Sequence, residues 1–232
     1  QLLVAFGANQ NFGDISPDGL IAAALRDIAT VLDADVQASG LFRTPCFPAG
    51  AGPDYVNAAA LVTLRETRGP DQVLADLHAV EARFGRVRQT RWGARTLDID
   101  LLAMGDSVLP DAETQDHWRN LPPEAQIRST PDQLILPHPR MAGRAFVLRP
   151  LADLAPGWRH PLSGAAIHDL FLRLNEERGS TTLIVTHNPE LAALAQGLTT
   201  ARDENSVFVV NPVDNTTYFY AEGMNAPMSG YA

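Results

Sequence analysis

The order of strand-like and helix-like segments is the feature of this sequence that most constrains its fold. Short apolar or alternating patterns typical of strands occur at residues 2–6, 35–42, 55–64 and 96–102. Apolar residues recur at helical spacing at residues 19–32 and 71–84. The resulting order, β-α-β-β-α-β, predicts an α+β fold of the ferredoxin-like type, with an antiparallel sheet and its helices on one face.

Two further regions follow these elements. Residues 103–135 are polar and contain prolines, so we expect a long surface excursion there, and residues 136–171 complete the same domain. The remaining residues carry short strand patterns and one helical pattern, at 181–186, 189–196, 206–210 and 217–220. We therefore expect one domain over residues 1–171 and an appended segment over residues 172–232 without an independent function.

Charge and composition exclude several classes of protein. The chain carries 18 basic and 27 acidic residues, a net charge of -9, which argues against a general nucleic-acid binder or a polybasic membrane-surface protein. All 18 basic residues are arginine, so a Walker-type P-loop, a Schiff-base lysine and a Ser-Lys dyad are excluded. Cys46 is the only cysteine, so neither an intrachain disulfide nor a thiolate zinc cage can form. No apolar run approaches the roughly 20 residues that span a bilayer, and we expect a cytoplasmic protein.

Two aspartates stand at the end of an arginine-rich stretch. On a strand, Asp98 and Asp100 share one face about 6.6 to 7 Å apart, while Leu97, Ile99 and Leu101 point into the core. Converging carboxylates repel each other unless a cation lies between them, and Mg²⁺ with its oxygen ligands suits such a place. Five arginines within thirteen residues precede the pair, and guanidinium groups match phosphate oxygens: Arg83, Arg86, Arg88, Arg91 and Arg95. The residues alone leave open a solvated strand face beside a basic loop.

These residues resemble a known signature. The sequence RWGARTLDIDLL at 91–102 is similar to the signature of the 6-hydroxymethyl-7,8-dihydropterin pyrophosphokinases, enzymes of folate biosynthesis. Further motifs of that family are matched in order by GAN at 7–9, FRTP at 42–45, DYVNA at 54–58, EARFGRVR at 81–88, PHPR at 137–140 and RAFVL at 144–148. The proline of FRTP stands one position earlier than in the family pattern. The resemblance covers residues 1–171.

The resemblance implies that pyrophosphate is transferred from ATP to the hydroxymethyl oxygen of the pterin, with release of AMP. It implies that Asp98 and Asp100 bind two Mg²⁺ ions. It assigns catalytic roles in neutralising phosphate charge and sealing the site to Arg88, Arg91, Trp92 and Arg95. The implied pterin contacts are Thr44, Pro45, Phe47, Tyr55, Asn57 and Phe146. The implied ATP contacts are His78, Glu81, Arg86, Arg88, Arg91, Arg95, Ile99, His138 and Arg144.

Several alternatives remain at this stage. His78 stands where some relatives of the family have glutamine. The expected partners are the two small-molecule substrates, with no nucleic acid and no membrane, and the resemblance suggests a monomer. A catalytically silent homologue that binds pterin or ATP, impaired by its unusual C-terminus, is the second interpretation. An RNA-binding ferredoxin-like module is the third, disfavoured by the acidic net charge and the lack of an RNP-type motif.

The tail resembles a different family. The sequence TTLIVTHNPELAALA at 181–195 is similar to the switch-histidine strand and following helix of ABC-transporter ATPases, a likeness that extends over residues 172–200. Because the chain has no Walker lysine, we expect no ATPase activity from this segment and no engaged role for His187.

Overall fold

A computed structural model of the chain describes residues 1–46, 52–85, 96–178, 183–185, 207–211 and 216–220. The chain divides into two compact units, Gln1–Leu170 and Phe171–Ala232.

The first unit is organised around one antiparallel sheet. Its strands are β1 (Leu2–Ala8), β2 (Ala34–Ala38), β3 (Phe42–Thr44), β4 (Tyr55–Leu64) and β5 (Asp98–Met104). The order across the sheet is β2-β4-β1-β5, and β3 also pairs with β4. All of these pairs are antiparallel, which confirms the expectation of an antiparallel sheet.

The strand expected over residues 35–42 is two strands instead of one. Ser39 lies between β2 and β3, and its side-chain Oγ, rather than a carbonyl, accepts the hydrogen bond from the Ala59 amide at 2.9 Å. A serine hydroxyl that competes with the backbone in this way interrupts a ladder.

The described helices are α1 (Pro17–Val31), α2 (Pro70–Arg83), α3 (Ala112–Arg119), α4 (Pro123–Arg128), α5 (Ala145–Leu154) and α6 (Ile167–Arg178), with a 3₁₀ turn at Met141–Gly143. Proline stands at the start of α1, where its missing N–H costs nothing, and Ser16 caps that helix by accepting from the Gly19 amide at 3.3 Å. Among the described helices, none has the length and apolarity needed to cross a bilayer.

One face of the sheet packs against α1 and α2. Leu20 and Ile28 of α1 and Leu77 of α2 are fully buried in the same cluster as Val4 and Phe6 of β1. The period-2 alternation of the strands and the 3.6-residue period of the helices bring these side chains together. This apolar core therefore fixes one face of the sheet.

The opposite face of the sheet is covered as well, which differs from the expected arrangement with helices on one face. Helix α5 packs against β4 and β3. Its buried side chains Val147, Leu148 and Leu151 lie outside the α1–α2 core. The sequence patterns before residue 103 do not contain this helix, so the second layer could not be seen in them.

The polar stretch after β5 contains two short helices, α3 and α4. Asp111 caps α3, because its carboxylate accepts from the Thr114 amide at 2.8 Å and from the Thr114 hydroxyl at 2.9 Å. Gln115 of α3 is completely buried. The stretch is therefore anchored structure rather than a surface excursion alone.

The second unit contains a three-stranded sheet of β6 (Leu183–Val185), β7 (Val207–Asn211) and β8 (Thr216–Tyr220). Strands β6 and β7 are parallel, whereas β7 and β8 are antiparallel. The strand patterns of the tail thus correspond to strands. The helix expected at 189–196 and His187 lie outside the described residues.

The buried His160 gives a prediction about acid stability. Burial lowers the pKa of His160 from 6.5 to about 4, and the positive charge of Arg119 acts in the same direction. Between these two values the unfolded chain binds a proton that the folded chain excludes, so the free energy of unfolding falls as the pH decreases below 6.5. At pH 5 this loss amounts to about 2 kcal/mol.

Between pH 7 and pH 5, the free energy of unfolding of the parent chain should fall by about 2 kcal/mol more than that of the His160→Asn variant. Urea unfolding measures both values. Asparagine does not titrate, and its oxygen can accept the Leu162 and Ser163 amides that now lie 3.3 and 3.4 Å from His160 Nδ1. The exposed His117→Asn change is the control and should follow the parent chain. An identical loss in the parent and the His160 variant would contradict the prediction.

Candidate active site

Strand β5 carries the two aspartates that the sequence singled out. Leu97, Ile99 and Leu101 are buried in the core, with exposures of 0, 2 and 3%. Asp98 and Asp100 are half-buried and belong to the other face of the strand. The predicted alternation of apolar and acidic side chains is confirmed.

A buried carboxylate holds this part of β5 in place. β5 lies at the edge of the sheet, so alternate backbone groups face away from its partner β1. The Ile99 amide, between the two aspartates, donates to Glu81 Oε1 of α2 at 2.6 Å. Glu81 is 1% exposed, and the bond ties α2 to the acidic part of the strand. The structure thus gives Glu81, one of the implied ATP contacts, a bond that positions the aspartates.

A small cleft opens above the acidic face of the sheet. In the strand register, Asn57 of β4, Gly7 of β1 and Asp98 of β5 form one row, and Ala5 and Asp100 lie opposite each other nearby. The cleft has a volume of about 30 Å³ and is lined by Ala5, Phe6, Gly7, Asn57, Asp98, Asp100, Phe146 and Val147. Gly7 and Ala5 of β1 are small residues, which leaves space at the base of the cleft. The cleft brings together four predicted site residues: Asn57, Asp98, Asp100 and Phe146.

Arg144 connects the acidic face to the exposed aromatic ring at the start of α5. Its Nη1 atom lies 3.4 Å from Asp100 Oδ2. Its guanidinium carbon lies 5.7 Å from the centroid of the Phe146 ring, within the range of a cation–π contact. Phe146 is 43% exposed. One arginine therefore contacts both a carboxylate of β5 and the aromatic ring beside the cleft.

The remaining described pterin candidates lie at the junction of β3 and β4. Asn57 is 4% exposed, and its Nδ2 donates to Thr44 Oγ1 at 2.9 Å and to the Phe42 carbonyl at 3.4 Å. Tyr55 is half-buried and pairs with Thr44 in the register. Pro45 is exposed. Of these residues only Asn57 lines the cleft, and its bonds place Thr44 next to it.

A second, larger cavity also borders Asp100. Its volume is about 510 Å³, and four predicted residues line it: His78, Ile99, Asp100 and His138. Asp100 therefore lines both cavities. Asp71 and Leu74 line the larger cavity too. They stand seven and four positions before His78 and share its face of α2, so the helical period could have revealed them from the sequence. The other lining residues missed from the sequence are Leu101, Trp118, Gln126, Thr130, Pro131, Asp132, Gln133, Leu134, Ile135, Pro139 and Arg140.

His138 lies in the wall of the larger cavity as a neutral imidazole. Loss of solvent lowers its pKa from 6.5 to about 4; the charges of Arg144 and Arg140 add to this effect, and Asp100 opposes it. Its Nδ1 accepts from the Arg140 amide at 3.1 Å, which leaves the ring hydrogen on Nε2. The His138 amide donates to the Leu102 carbonyl at 2.7 Å and fixes the loop to β5. The residue can offer one neutral donor to a ligand.

Six predicted site residues lie outside the described part of the chain: Phe47, Arg86, Arg88, Arg91, Trp92 and Arg95. The residues that flank the arginine-rich segment are described. The Thr96 hydroxyl donates to the Phe84 carbonyl at 2.7 Å, so the two ends of that segment are joined beside β5.

The two carboxylates of the acidic face suit a hard cation that binds together with a ligand. Within the described ranges, no group of three or more His, Cys, Asp or Glu side chains is placed to hold a metal ion. Mg²⁺ commonly binds proteins through one or two carboxylates, with substrate phosphates and water as its other ligands. Asp98 and Asp100 on one face fit that mode of binding.

Comparison with known proteins identifies the family. The model of the 7,8-dihydro-6-hydroxymethylpterin-pyrophosphokinase family, HPPK, matches residues 3–156. The chain belongs to this family. The HPPK match contains both cavities, all the described site residues and the arginine-rich segment.

Curated HPPK proteins are similar over most of the same region. The 2-amino-4-hydroxy-6-hydroxymethyldihydropteridine pyrophosphokinase of Synechocystis is 36% identical over 165 residues, covering 71% of this chain and 72% of the relative. The Haemophilus influenzae protein of the same name is 31% identical over 154 residues, covering 66% of this chain and 79% of the relative. The Pseudomonas aeruginosa protein is 41% identical over 109 residues, covering 47% of this chain and 54% of the relative.

Solved HPPK structures share the fold. The crystal structure of Plasmodium falciparum HPPK-DHPS superposes with a TM-score of 0.50 at 13% identity, covering 92% of this chain. A triple mutant of that protein with SDX-DHP gives a TM-score of 0.52 at 12% identity. This chain spans 57% of the length of the first of these and 56% of the second. At such identities the likeness concerns the mixed α/β fold with its antiparallel sheet.

Proposed function

We propose that this chain transfers pyrophosphate from ATP to 6-hydroxymethyl-7,8-dihydropterin, releasing AMP, as the names of its HPPK relatives indicate. The observation that carries the proposal is the position of Asp100 between two cavities of different character. A group can be transferred only where the reacting atoms of the two substrates meet, and the carboxylate that lines both cavities lies at such a position.

The larger cavity is the proposed nucleotide site. Its volume of about 510 Å³ falls in the range of small-molecule pockets, roughly 300 to 1,000 Å³. His78, Ile99 and His138 line it, and Asp100 stands at its border with the cleft. We propose that the base and ribose occupy its interior and that the phosphates extend toward Asp100 and Arg144.

The small cleft is the proposed entrance to the pterin site. Phe146 would stack on one face of the bicyclic ring and Tyr55 on the other, while Asn57 reads the polar edge beside Thr44, Pro45 and Phe47. A volume of about 30 Å³ does not accommodate that ring. Binding therefore requires the exposed Phe146 side chain to move away from the cleft.

Asp98 and Asp100 are proposed to hold two Mg²⁺ ions together with the ATP phosphates. Bound there, the ions would neutralise charge around the β-phosphorus. Arg88, Arg91 and Arg95 would neutralise further phosphate charge, with Arg86 and Arg144 in contact with the nucleotide and Trp92 closing the site against water.

The reaction forms one bond and breaks one bond. The hydroxymethyl oxygen of the pterin attacks the β-phosphorus of ATP, and the bridge between the α- and β-phosphates breaks. AMP leaves with the bridging oxygen, and the hydroxyl proton passes to solvent. Because the attacking and leaving oxygens must lie in line, the task of the chain would be positioning and charge neutralisation.

We propose that the sheet, with β3 set aside, has the ferredoxin-like arrangement, a proposal that its order β2-β4-β1-β5 supports. This arrangement would put the two chain crossovers on the α1–α2 face. We propose that residues 1–171 are the catalytic domain of a monomeric enzyme and that residues 172–232 contribute no activity of their own.

The test is AMP formation from MgATP with and without 6-hydroxymethyl-7,8-dihydropterin. Pterin-dependent AMP, with one pterin pyrophosphate formed for each AMP, is the expected result. A folded chain that binds both substrates by calorimetry but makes no AMP would instead support the silent homologue. A chain that binds neither substrate would overturn the proposal altogether.

A further inference from the structure

The outer wall of the larger cavity comes from the stretch between β5 and His138. Its cavity-lining residues include Trp118, Gln126, Thr130, Pro131 and Asp132, none of which belongs to a motif of the family signature. The proposed function has not yet used this wall.

The wall is fixed to the segment that carries His138. Leu109 and Leu136 pair through two backbone hydrogen bonds of 2.8 and 3.2 Å. The buried side chain of Gln115 donates from Nε2 to the Pro137 carbonyl at 3.0 Å. Helix α3 is thus anchored at both its start and its middle, which gives its cavity-facing residues a defined position.

Trp118 is the aromatic side chain on this anchored helix that reaches the cavity. It stands three positions after Gln115 and therefore lies on the same side of α3. The α3 end is held in turn by Gln126 of α4, whose Nε2 donates to the Trp118 and Arg119 carbonyls at 3.4 and 3.3 Å. Trp118 shares the cavity lining with the apolar side chains of Leu74, Ile99, Leu134 and Ile135.

Charged, polar and apolar side chains all line the cavity. Asp71 and Asp132 would repel a phosphate, and Trp118 with its apolar neighbours offers a flat surface. Asp100, with Arg144 beside it, belongs with His138 and Arg140 to the other polar part of the lining. A flat aromatic base suits the first set of residues, whereas a phosphate chain does not.

We propose that Trp118 is a base-contacting residue of the nucleotide site, supplied by the stretch between β5 and His138, and that it contributes to ATP affinity through the base alone. The inference rests on the proposed function, because it takes the larger cavity as the nucleotide site. The residues proposed to bind the phosphates are different ones, so the contribution of Trp118 to ATP affinity can be measured separately from theirs.

The experiment measures calorimetric affinities for two magnesium-bound probes, α,β-methylene-ATP and inorganic tripolyphosphate. Trp118→Ala should weaken the methylene-ATP affinity about tenfold, as expected for the loss of one base–aromatic contact. Its affinity for tripolyphosphate and for the pterin should stay within about twofold of the parent chain. Trp118→Phe retains an aromatic face and should recover most of the affinity. Glu113→Ala, an exposed change on the same helix, is the control.

Three results would overturn the inference. Unchanged methylene-ATP affinity in Trp118→Ala would show that the base does not touch this wall. Equal weakening of both probes, or no recovery with phenylalanine, would show that Trp118 only supports the structure of the cavity. Failure of the proposed function has a different signature: the parent chain would form no pterin-dependent AMP, whatever the affinities of the variants.

Discussion

Asparagine at position 98 or 100 is expected to lower pterin-dependent AMP formation by at least about a thousandfold. Both side chains keep their size in these variants, but each loses the negative charge that would hold a cation among the ATP phosphates. Pterin affinity should remain within about threefold of the parent chain, because the aromatic contacts proposed for the ring involve other residues. The measurements are initial rates at saturating MgATP and pterin affinity by calorimetry.

Asp100→Asn changes a second interaction as well, because Asp100 also pairs with Arg144 at 3.4 Å. Asp106→Asn, an exposed change just beyond the end of β5, should leave the rate unchanged. Retention of more than about a tenth of the rate in Asp98→Asn and Asp100→Asn would remove the aspartates from the proposed mechanism.

Glu81→Leu is expected to destabilise the first unit by about 2 kcal/mol and to lower turnover more than tenfold. The change removes the acceptor of the Ile99 amide, a buried donor between the two aspartates. A buried amide without a partner costs roughly 1 to 3 kcal/mol, and the strand can then shift to find another. Unfolding in urea and the kcat for AMP formation are the two measurements.

A conservative variant separates position from charge. Glu81→Gln keeps an oxygen that can accept from Ile99, so it should retain turnover within about fivefold of the parent chain. Glu66→Leu, an exposed change before α2, controls for the loss of a glutamate and should affect neither measurement. Equal loss of turnover in the glutamine and leucine variants would mean that the charge of Glu81, not its bond to Ile99, is what matters.

Local patterns predicted the acidic strand well. The alternation from Leu97 to Leu101 depends on the strand period alone, and the structure confirms it. The α1 and α2 core was equally visible, because one amphipathic stripe must pack against the sheet. The family resemblance named Asn57 and Phe146 as pterin contacts and the two aspartates as metal ligands. These four residues line one cleft, and their roles stay predictions.

Long-range contacts were less accessible from the sequence. The break at Ser39 depends on a side-chain bond to Ala59 twenty residues away. Helix α5 covers the second face of the sheet, but its own sequence does not say which layer it joins. Gln115 and Trp118 come from a polar stretch whose burial depends on docking against Pro137, so no local period could reveal them. The roles of the arginines between residues 86 and 95 remain predictions.

Asp100 stands in the wall of two cavities, and this gives the two ligands a thermodynamic link. A charge that enters either cavity changes the electrostatic potential at that carboxylate, and through it the free energy of filling the other cavity. Such coupling is reciprocal: whatever factor the nucleotide contributes to pterin affinity, the pterin must contribute to nucleotide affinity. One acidic side chain can thereby make the second ligand bind more or less tightly by the same factor, whichever ligand binds first, without any movement of the sheet.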